Sequence, residues 1–194
     1  MRLAEATPIR VPALLHALGD LLGERTTVVA DAVTASAGVL THLLPRAGRG
    51  FHTTASGSLG WGMGAALGIQ LAAPADEVIA VVGDGVFQFG IQALWTAVHE
   101  RLPVIWIVLN NASYMAVKAA LQRYGGAAAA RQIYPASAIP GPQIAAIAQG
   151  FGAFGQRITR LADLAPALQA ARACAGPAVI EVLTDPDDTG PRPT

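Results

Sequence analysis

Two short polar segments of the chain carry residue types that could bind a metal ion and an anion. Gly83-Asp84-Gly85 follows the apolar run Val78 to Val82, and Asn111 follows the apolar run Val104 to Leu109. A carboxylate, an amide oxygen and a backbone oxygen are ligands that suit magnesium already holding phosphate oxygens. Glycines on both sides of Asp84 let the backbone approach the anion closely. The pattern predicts a diphosphate and Mg²⁺ site.

The order of the two segments supports this prediction more than either segment alone. Gly-Asp-Gly is common in turns, and Asn-Asn after a strand is common in helix caps and Asx-turns. Here both segments follow unusually apolar runs, and the chain between them is long enough for one crossover helix. Ligands of open parallel sheets bind at the carboxyl ends of the strands, so we expect the two segments to lie together.

The elements that must position these residues alternate between strands and helices. The apolar runs lack polar alternation, which is typical of parallel strands covered on both faces. This predicts a doubly wound α/β fold with a mostly parallel sheet and helices on both faces. Strands are predicted over residues 26–30, 78–82, 104–109, 153–158 and 178–183, and helices over 12–22, 36–44, 88–100, 114–123, 143–149 and 161–175.

The remaining segments are interpreted by their composition. Residues 57–64 are rich in glycine and are a candidate wall of the site, because so many glycines need a compensating reason such as close backbone approach. Residues 125–142 are rich in Ala, Gly and Pro and are predicted to form a long loop. Residues 1–184 are predicted to form one domain, and residues 185–194 a disordered tail.

Composition excludes several functional classes. Thirteen basic and thirteen acidic side chains cancel, so no field attracts nucleic acid or an anionic membrane. The single cysteine, Cys174, excludes an internal disulfide framework and fits a reducing compartment. No apolar run is long enough to cross a bilayer, so we expect a cytoplasmic protein. With 53% hydrophobic and 13% charged residues, the chain is also expected to have either many fully buried strands or a large interface, and a partner is expected.

The stretch from Gly83-Asp84-Gly85 to Asn110-Asn111 resembles the thiamine diphosphate-binding signature, which begins with Gly-Asp-Gly and ends with Asn-Asn. The surrounding residues 53–62, 91–97 and 102–104 look like the cofactor domain of benzoylformate decarboxylase and its relatives. The resemblance extends over nearly the whole chain. It implies the thiamine diphosphate-binding fold, with thiamine diphosphate and Mg²⁺ as cofactors and a 2-keto acid as substrate of a decarboxylase or carboligase.

The resemblance also implies residue roles. Asp84 and Asn111 match the family's magnesium ligands, and Ser113 matches the position that supplies a main-chain carbonyl. Leu59 matches the bulky residue that holds the cofactor in its bent conformation, and the Gly57 carbonyl matches the one facing the aminopyrimidine. The implied cofactor-binding residues are Thr34, Gly57, Leu59, Gly83, Asp84, Gly85, Val86, Asn111, Ser113 and Tyr114. Two positions depart from the family pattern, Val86 for a small residue and Ala112 for a frequent glycine.

No catalytic residue is assigned within the chain. In the family a glutamate on a separate pyrimidine-binding domain, from a neighbouring subunit or chain, protonates the aminopyrimidine. The glutamates here, Glu24, Glu77, Glu100 and Glu181, are interpreted as surface or helix-end charges. The chain is therefore expected to be a split-enzyme subunit, as in sulfopyruvate and phosphonopyruvate decarboxylases, or a fragment of a longer enzyme. Either form would join a pyrimidine-binding partner in a homo- or hetero-oligomer.

Two alternatives stay open from the residues. Gly60, Gly62 and Ala65 formally fit the fingerprint of an NAD(P)-binding Rossmann domain, although the strand expected just before them is short. A non-catalytic assembly subunit that retains the fold is the other alternative. Trp61, Trp95 and Trp106 fall on predicted helix or strand interiors and are expected in the core.

Overall fold

The strands form one sheet, seen in a computed structural model that describes residues 8–139 and 141–186. The sheet has six strands in the order β2-β1-β3-β4-β6-β5. Every pair of neighbours in it is parallel, so the prediction of a doubly wound α/β fold is confirmed. The strands are β1 Thr26–Asp31, β2 Gly50–Thr53, β3 Glu77–Gly83, β4 Ile105–Asn110, β5 Phe154–Ile158 and β6 Ala178–Leu183.

Helices connect successive strands, as parallel pairing requires. Within the described residues they are α1 Val11–Asp20, α2 Ser36–His42, α3 Trp61–Ala72, α4 Asp84–Phe89, α5 Ala93–His99, α6 Met115–Tyr124, α7 Gly126–Arg131, α8 Ile144–Gly150 and α9 Leu164–Ala173.

Two hydrophobic cores lie on the two faces of the sheet. Ile79 and Val81 of β3 face the core built with α1, α2 and α9. Ala80 and Val82 face the other core, built with α3, α4, α5 and α8. Burial on both faces explains why the strands read as continuous apolar runs in the sequence.

The strand order creates a crevice at one edge of the sheet. From β1 the chain moves outward to β2 and then returns across β1 to β3, so the order reverses between β1 and β3. In open α/β sheets the crevice outside the carboxyl ends at such a reversal is the usual ligand site. The loops after β1, β3 and β4 are therefore the ones that the fold brings to a site.

Two predicted elements were wrong. The predicted loop over 125–142 contains helix α7, Gly126–Arg131. Its alanines have high helix propensity. The segment has no large apolar side chains that alternate with polar ones at helical spacing, so no periodic pattern predicted the helix. The predicted helix over 88–100 is instead two helices, because α4 ends at Phe89 and α5 begins at Ala93.

Burial corrects three side-chain predictions. Trp106 lies in the core, but Trp95 is 61% exposed and Trp61 37% exposed, so the core prediction was wrong for both. Glu181 was predicted to be a surface charge and is instead completely buried. Of the predicted tail, residues 187–194 lie outside the described residues. None of the helices in the described ranges has the length and apolar character needed to cross a bilayer.

Candidate functional site

A cavity of about 130 Å³ lies at the carboxyl ends of β1, β3 and β4. Its walls contain nine of the ten residues predicted to bind the cofactor. Gly57 is the exception: it is exposed and does not line the cavity. The nine lining residues are Thr34, Leu59, Gly83, Asp84, Gly85, Val86, Asn111, Ser113 and Tyr114.

Asp84 places a poorly solvated carboxylate in this cavity. The side chain lies directly after β3, and the residue is 4% exposed. Oδ1 accepts a hydrogen bond from the Gly85 N–H at 2.7 Å, whereas Oδ2 is buried without a hydrogen-bond partner among the described residues. Burial raises the pKa of Asp84, and the nearby backbone N–H groups of Gly85, Ala112 and Ser113 partly oppose that rise. A cation at Oδ2 would satisfy the open oxygen.

The loop after β4 folds into two successive Asx-type turns. Asn110 Oδ1 accepts the N–H of Ala112, and Asn111 Oδ1 accepts the N–H of Ser113, both at 3.0 Å. Ala112 between them has a φ of 53°, in the left-handed region that favours glycine. The side-chain Oδ1 of Asn111 has a second lone pair that this turn does not use. Oδ1 can therefore still bind a cation.

A second segment of chain holds the same loop from outside. The Ser137 carbonyl accepts the N–H of Tyr114 at 2.7 Å and the hydroxyl of Ser113 at 3.0 Å. The Ile139 N–H donates to the Ala112 carbonyl at 2.8 Å. These contacts form an antiparallel bridge, Ser113 to Ala138, which fixes the loop against residues 134–139.

Gly85 lies close to the ring of Tyr114. A Cβ on Gly85 would lie 3.1 Å from Cε1 of the Tyr114 ring, closer than ordinary van der Waals contact. The ring thus covers the backbone just after Asp84, and it is itself 40% exposed. The close approach explains the second glycine of the Gly-Asp-Gly segment.

Sequence reasoning missed half of the cavity wall. The rule that ligand residues follow each strand would have found the residues after β1 and the one after β6, had it been applied there. The first turn of α6 continues from Tyr114, and Val11 carries no signal in the sequence. The missed residues are Val11, Ala32, Val33, Ala35, Leu109, Met115, Ala116, Val117 and Thr184.

The donor set fits magnesium bound together with a diphosphate rather than a metal held by protein alone. Within the described ranges no three His, Cys, Asp or Glu side chains come together as a possible metal site. Mg²⁺ commonly takes one or two protein carboxylates or carbonyls and completes its shell with phosphate oxygens and water. Asp84 and Asn111 match such a partial shell, since no hydrogen bond from the described residues competes for Oδ2 of Asp84.

The glycines of the Rossmann-type pattern lie elsewhere. Gly60 and Gly62 do not line the cavity. Gly62 packs against Asp31, where its N–H donates to Oδ2 at 2.9 Å, so its small size serves helix packing. The preceding strand, β2 Gly50–Thr53, is separated from the first of these glycines by residues 54–59. The dinucleotide interpretation has no support in this geometry.

Comparison with known proteins gives consistent matches. Residues 32–182 match the family model described as thiamine pyrophosphate enzyme, C-terminal TPP binding domain; thiamine pyrophosphate (TPP) is another name for thiamine diphosphate. Benzoylformate decarboxylase of Pseudomonas aeruginosa is 35% identical over 94% of this chain and 36% of its own length. The acetolactate synthase isozyme 2 large subunit of Escherichia coli is 28% identical over 91% of this chain and 32% of its own length.

A solved structure has the same fold. The thiamine diphosphate-dependent 4-hydroxybenzoylformate decarboxylase of Rhodococcus jostii superposes with a TM-score of 0.83 at 28% identity, covering 97% of this chain and 35% of that one. The chain spans about a third of the length of the relatives it matches.

Proposed function

Because the chain belongs to the family of thiamine pyrophosphate enzymes, as their C-terminal TPP-binding domain, we propose that it binds the diphosphate of TPP through Mg²⁺ in a 2-keto acid decarboxylase or carboligase. The cofactors of the family are TPP and Mg²⁺. The domain that we propose comprises residues 1–184. Its relatives contain further domains, so the rest of the active site comes from another domain or chain.

The observation that carries the proposal is the buried, unpartnered Oδ2 of Asp84. A lone ionised oxygen in a low-dielectric wall is costly unless a cation or a proton compensates it. Asp84 and the Asn111 side chain would bind Mg²⁺, and the Ser113 main-chain carbonyl would complete the protein's share. The adjacency of β3 and β4 supports this assignment, since it brings both loops to one cavity.

The remaining wall residues would hold the organic part of the cofactor. Thr34 is proposed to contact the diphosphate, together with the backbone from Gly83 to Val86. Tyr114 would cover that backbone, and Leu59, 42% exposed at the rim, would support the bent conformation. Gly57 stays a proposed carbonyl contact to the aminopyrimidine, on the exposed segment beyond the cavity.

TPP supplies an electron sink for cleaving or forming the carbon–carbon bond next to a keto group. The chain's residues would orient the cofactor, hold its metal and exclude water from the apolar side of the cavity. No glutamate lines the cavity in the described part of the chain. This supports a pyrimidine-binding partner as the source of the activating glutamate. Val33 and Val117 in the wall favour a 2-keto acid with a hydrophobic substituent, such as benzoylformate.

The surface supports a partner as well. Leu71, Phe89 and Trp95 are each 60% exposed or more, on α3, α4 and α5 of the same sheet face. Large apolar side chains that stay exposed together are typical of protein interfaces. We propose that the chain works in a homo- or hetero-oligomer.

Calorimetry on the whole chain tests the proposed cofactor. TPP should bind only when Mg²⁺ is present. Asp84→Ala should weaken binding by about 100-fold or more, since loss of a ligand exceeds the 10–100-fold cost typical of losing a supporting residue. Asp163→Asn is the matched control, because that carboxylate pairs with Arg160 outside the cavity and should leave the affinity unchanged.

Two results would contradict the proposal. One is binding of TPP that is equally strong without Mg²⁺ or in Asp84→Ala. The other is tight binding of a nicotinamide dinucleotide in place of TPP, which would favour the Rossmann alternative. Cofactor binding by a chain that no partner ever activates would instead favour the assembly subunit.

A further inference from the structure

Glu181 is a completely buried carboxylate outside the cavity. It lies on β6 and accepts hydrogen bonds from three different elements. Oε1 accepts from Asn110 Nδ2 of β4 at 2.7 Å and from Arg157 Nη2 of β5 at 2.9 Å. Oε2 accepts from the Ala145 N–H in the first turn of α8 at 3.0 Å. Three donors thus converge on one carboxylate.

Asn110 links this carboxylate to the loop that carries the proposed metal ligands. Its Nδ2 donates to Glu181, and its Oδ1 accepts the Ala112 N–H. An ionised carboxylate only accepts hydrogen bonds, so it fixes which end of the Asn110 amide faces it. With the NH₂ group held by Glu181, the oxygen must face Ala112. The orientation of Asn110 therefore depends on Glu181.

Ala112, whose N–H donates to Asn110, is the strained residue of this loop. Ala112 has a left-handed backbone that is sterically unfavourable for an alanine, so the loop needs an external constraint to keep this conformation. The hydrogen bond from the Ala112 N–H to Asn110 is one such constraint from the core side. Asn111 and Ser113 flank Ala112, so the backbone conformation of Ala112 determines the direction of their proposed ligand atoms.

Stability alone does not account for the burial of Glu181, because the side chain of its ion-pair partner Arg157 stays 32% exposed. Replacing a buried ion pair with apolar residues of similar size is often neutral or stabilising. We infer that Glu181 is a positioning residue, which acts through Asn110 to hold the loop 111–113 in the conformation that binds the metal. This inference deepens the proposed function and rests on it for the loop's role in cofactor binding.

Amide hydrogen exchange on the whole chain without cofactor tests the positioning directly. Glu181→Gln keeps the size of the side chain but offers one acceptor oxygen where three donors converge. We expect exchange at Ala112 and Ser113 to become about tenfold faster or more, as local opening becomes easier. Asn110→Ala, which leaves Glu181 bonded to Arg157 and Ala145, should do the same and provides a second variant if the first folds poorly.

A double-mutant cycle and a control separate positioning from general stability. If Glu181 acts through Asn110, the double variant should exchange no faster at these two amides than Asn110→Ala alone. Glu77→Gln is the control, because this carboxylate also accepts from an arginine and from a neighbouring strand, but at the amino end of β3, away from the loop 111–113. It should lower the unfolding temperature without changing exchange at Ala112 and Ser113.

The affinity for TPP in the presence of Mg²⁺ gives the second readout. We expect about tenfold weaker binding in Glu181→Gln and in Asn110→Ala, within the range for residues that support metal ligands, and no change in Glu77→Gln. The inference is overturned if Glu181→Gln lowers the unfolding temperature but leaves loop exchange and affinity as in the control. If the wild-type chain binds no TPP, the proposed function fails, and the exchange data alone decide whether Glu181 positions the loop.

Discussion

Asp84 carries a charge in a place where the protein solvates it poorly. Burial raises its pKa, so the folded state takes up a proton more readily than the unfolded chain does. A carboxyl with a raised folded pKa costs stability once both states are ionised. That cost grows as the pH rises from the ordinary value of 3.8 through the higher folded value. Metal binding would offset this cost.

Asp84→Asn should therefore change the pH dependence of stability in a defined direction. Without metal or cofactor, the unfolding temperature of the variant relative to the wild type should rise as the pH increases above the ordinary value of 3.8, because only the wild type ionises there. Thermal unfolding at a series of pH values measures this. A constant difference across that range would contradict the raised pKa. With Mg²⁺ and TPP added, the wild type alone should gain stability.

At the residue scale the sequence predicted the chemistry that follows strand ends and missed what lies in the core. Asp84 and Asn111 were found because each stands two residues after the end of an apolar run. Ala112 was noted as a departure from glycine, and its left-handed backbone gives that departure a physical meaning. Glu181 was misassigned because a charge within a short apolar strand does not reveal its partners. Those partners, Asn110 and Arg157, come from distant parts of the chain.

Helix α3 shows how one element is fitted to the sheet beneath it. A Cβ on Gly62 would lie 2.7 Å from Cβ of Asp31, so the helix can approach the end of β1 only because this residue is glycine. On the outer face of the same helix, a Cβ on Gly68 would meet nothing within 4 Å. The two glycines give a matched pair for mutation.

Gly62→Ala should destabilise the chain by about 1–3 kcal/mol, because the added methyl overpacks a buried contact. Gly68→Ala should stabilise it by up to about 1 kcal/mol, since alanine is the better helix former at an open position. Chemical denaturation of both variants measures the two changes. If both substitutions shifted stability in the same direction, the packing described for α3 would be incorrect.

At the element scale, strands were easier to predict than helices. A strand buried on both faces is a block of apolar residues, which β3 and β4 show clearly. Helix α7 has no such mark, because its alanines contribute little to either core. The split between α4 and α5 depends on tertiary packing around Gly90, where a Cβ would lie 2.6 Å from Met63 Cβ. Local sequence patterns carry no information about that contact.

The whole molecule presents the cavity with an exposed rim. Val33, Leu59, Tyr114 and Val117 line it and are each 40% exposed or more. A reaction that needs water excluded requires these side chains to be covered. The sequence predicted the need for a partner from the family resemblance and the apolar composition. It could not predict where the apolar surface would lie, since that depends on which helices face outward.

The chain alone should bind TPP but not turn over a 2-keto acid. Carbon dioxide release from benzoylformate and from pyruvate measures this, with the chain alone and then with a pyrimidine-binding partner added. We expect release only in the mixture, and faster release from benzoylformate if the apolar wall selects the substrate. Turnover by the homogeneous chain alone would contradict the requirement for a partner. Faster release from pyruvate would contradict the assignment of a hydrophobic substrate.

The crevice between β1 and β3 owes its existence to connectivity. After β1 the chain runs to one side of this strand, to β2, and after β2 it returns to the other side, to β3. The loops that follow β1 and β3 therefore diverge, and the gap between them does not depend on small side chains. A gap formed in this way tolerates amino-acid substitutions, because substitutions do not change the order of the strands in the sheet. Evolution can then exchange the loops around a constant anchoring point. The decarboxylases and the synthase that match this chain at about 30% identity illustrate this tolerance of substitution.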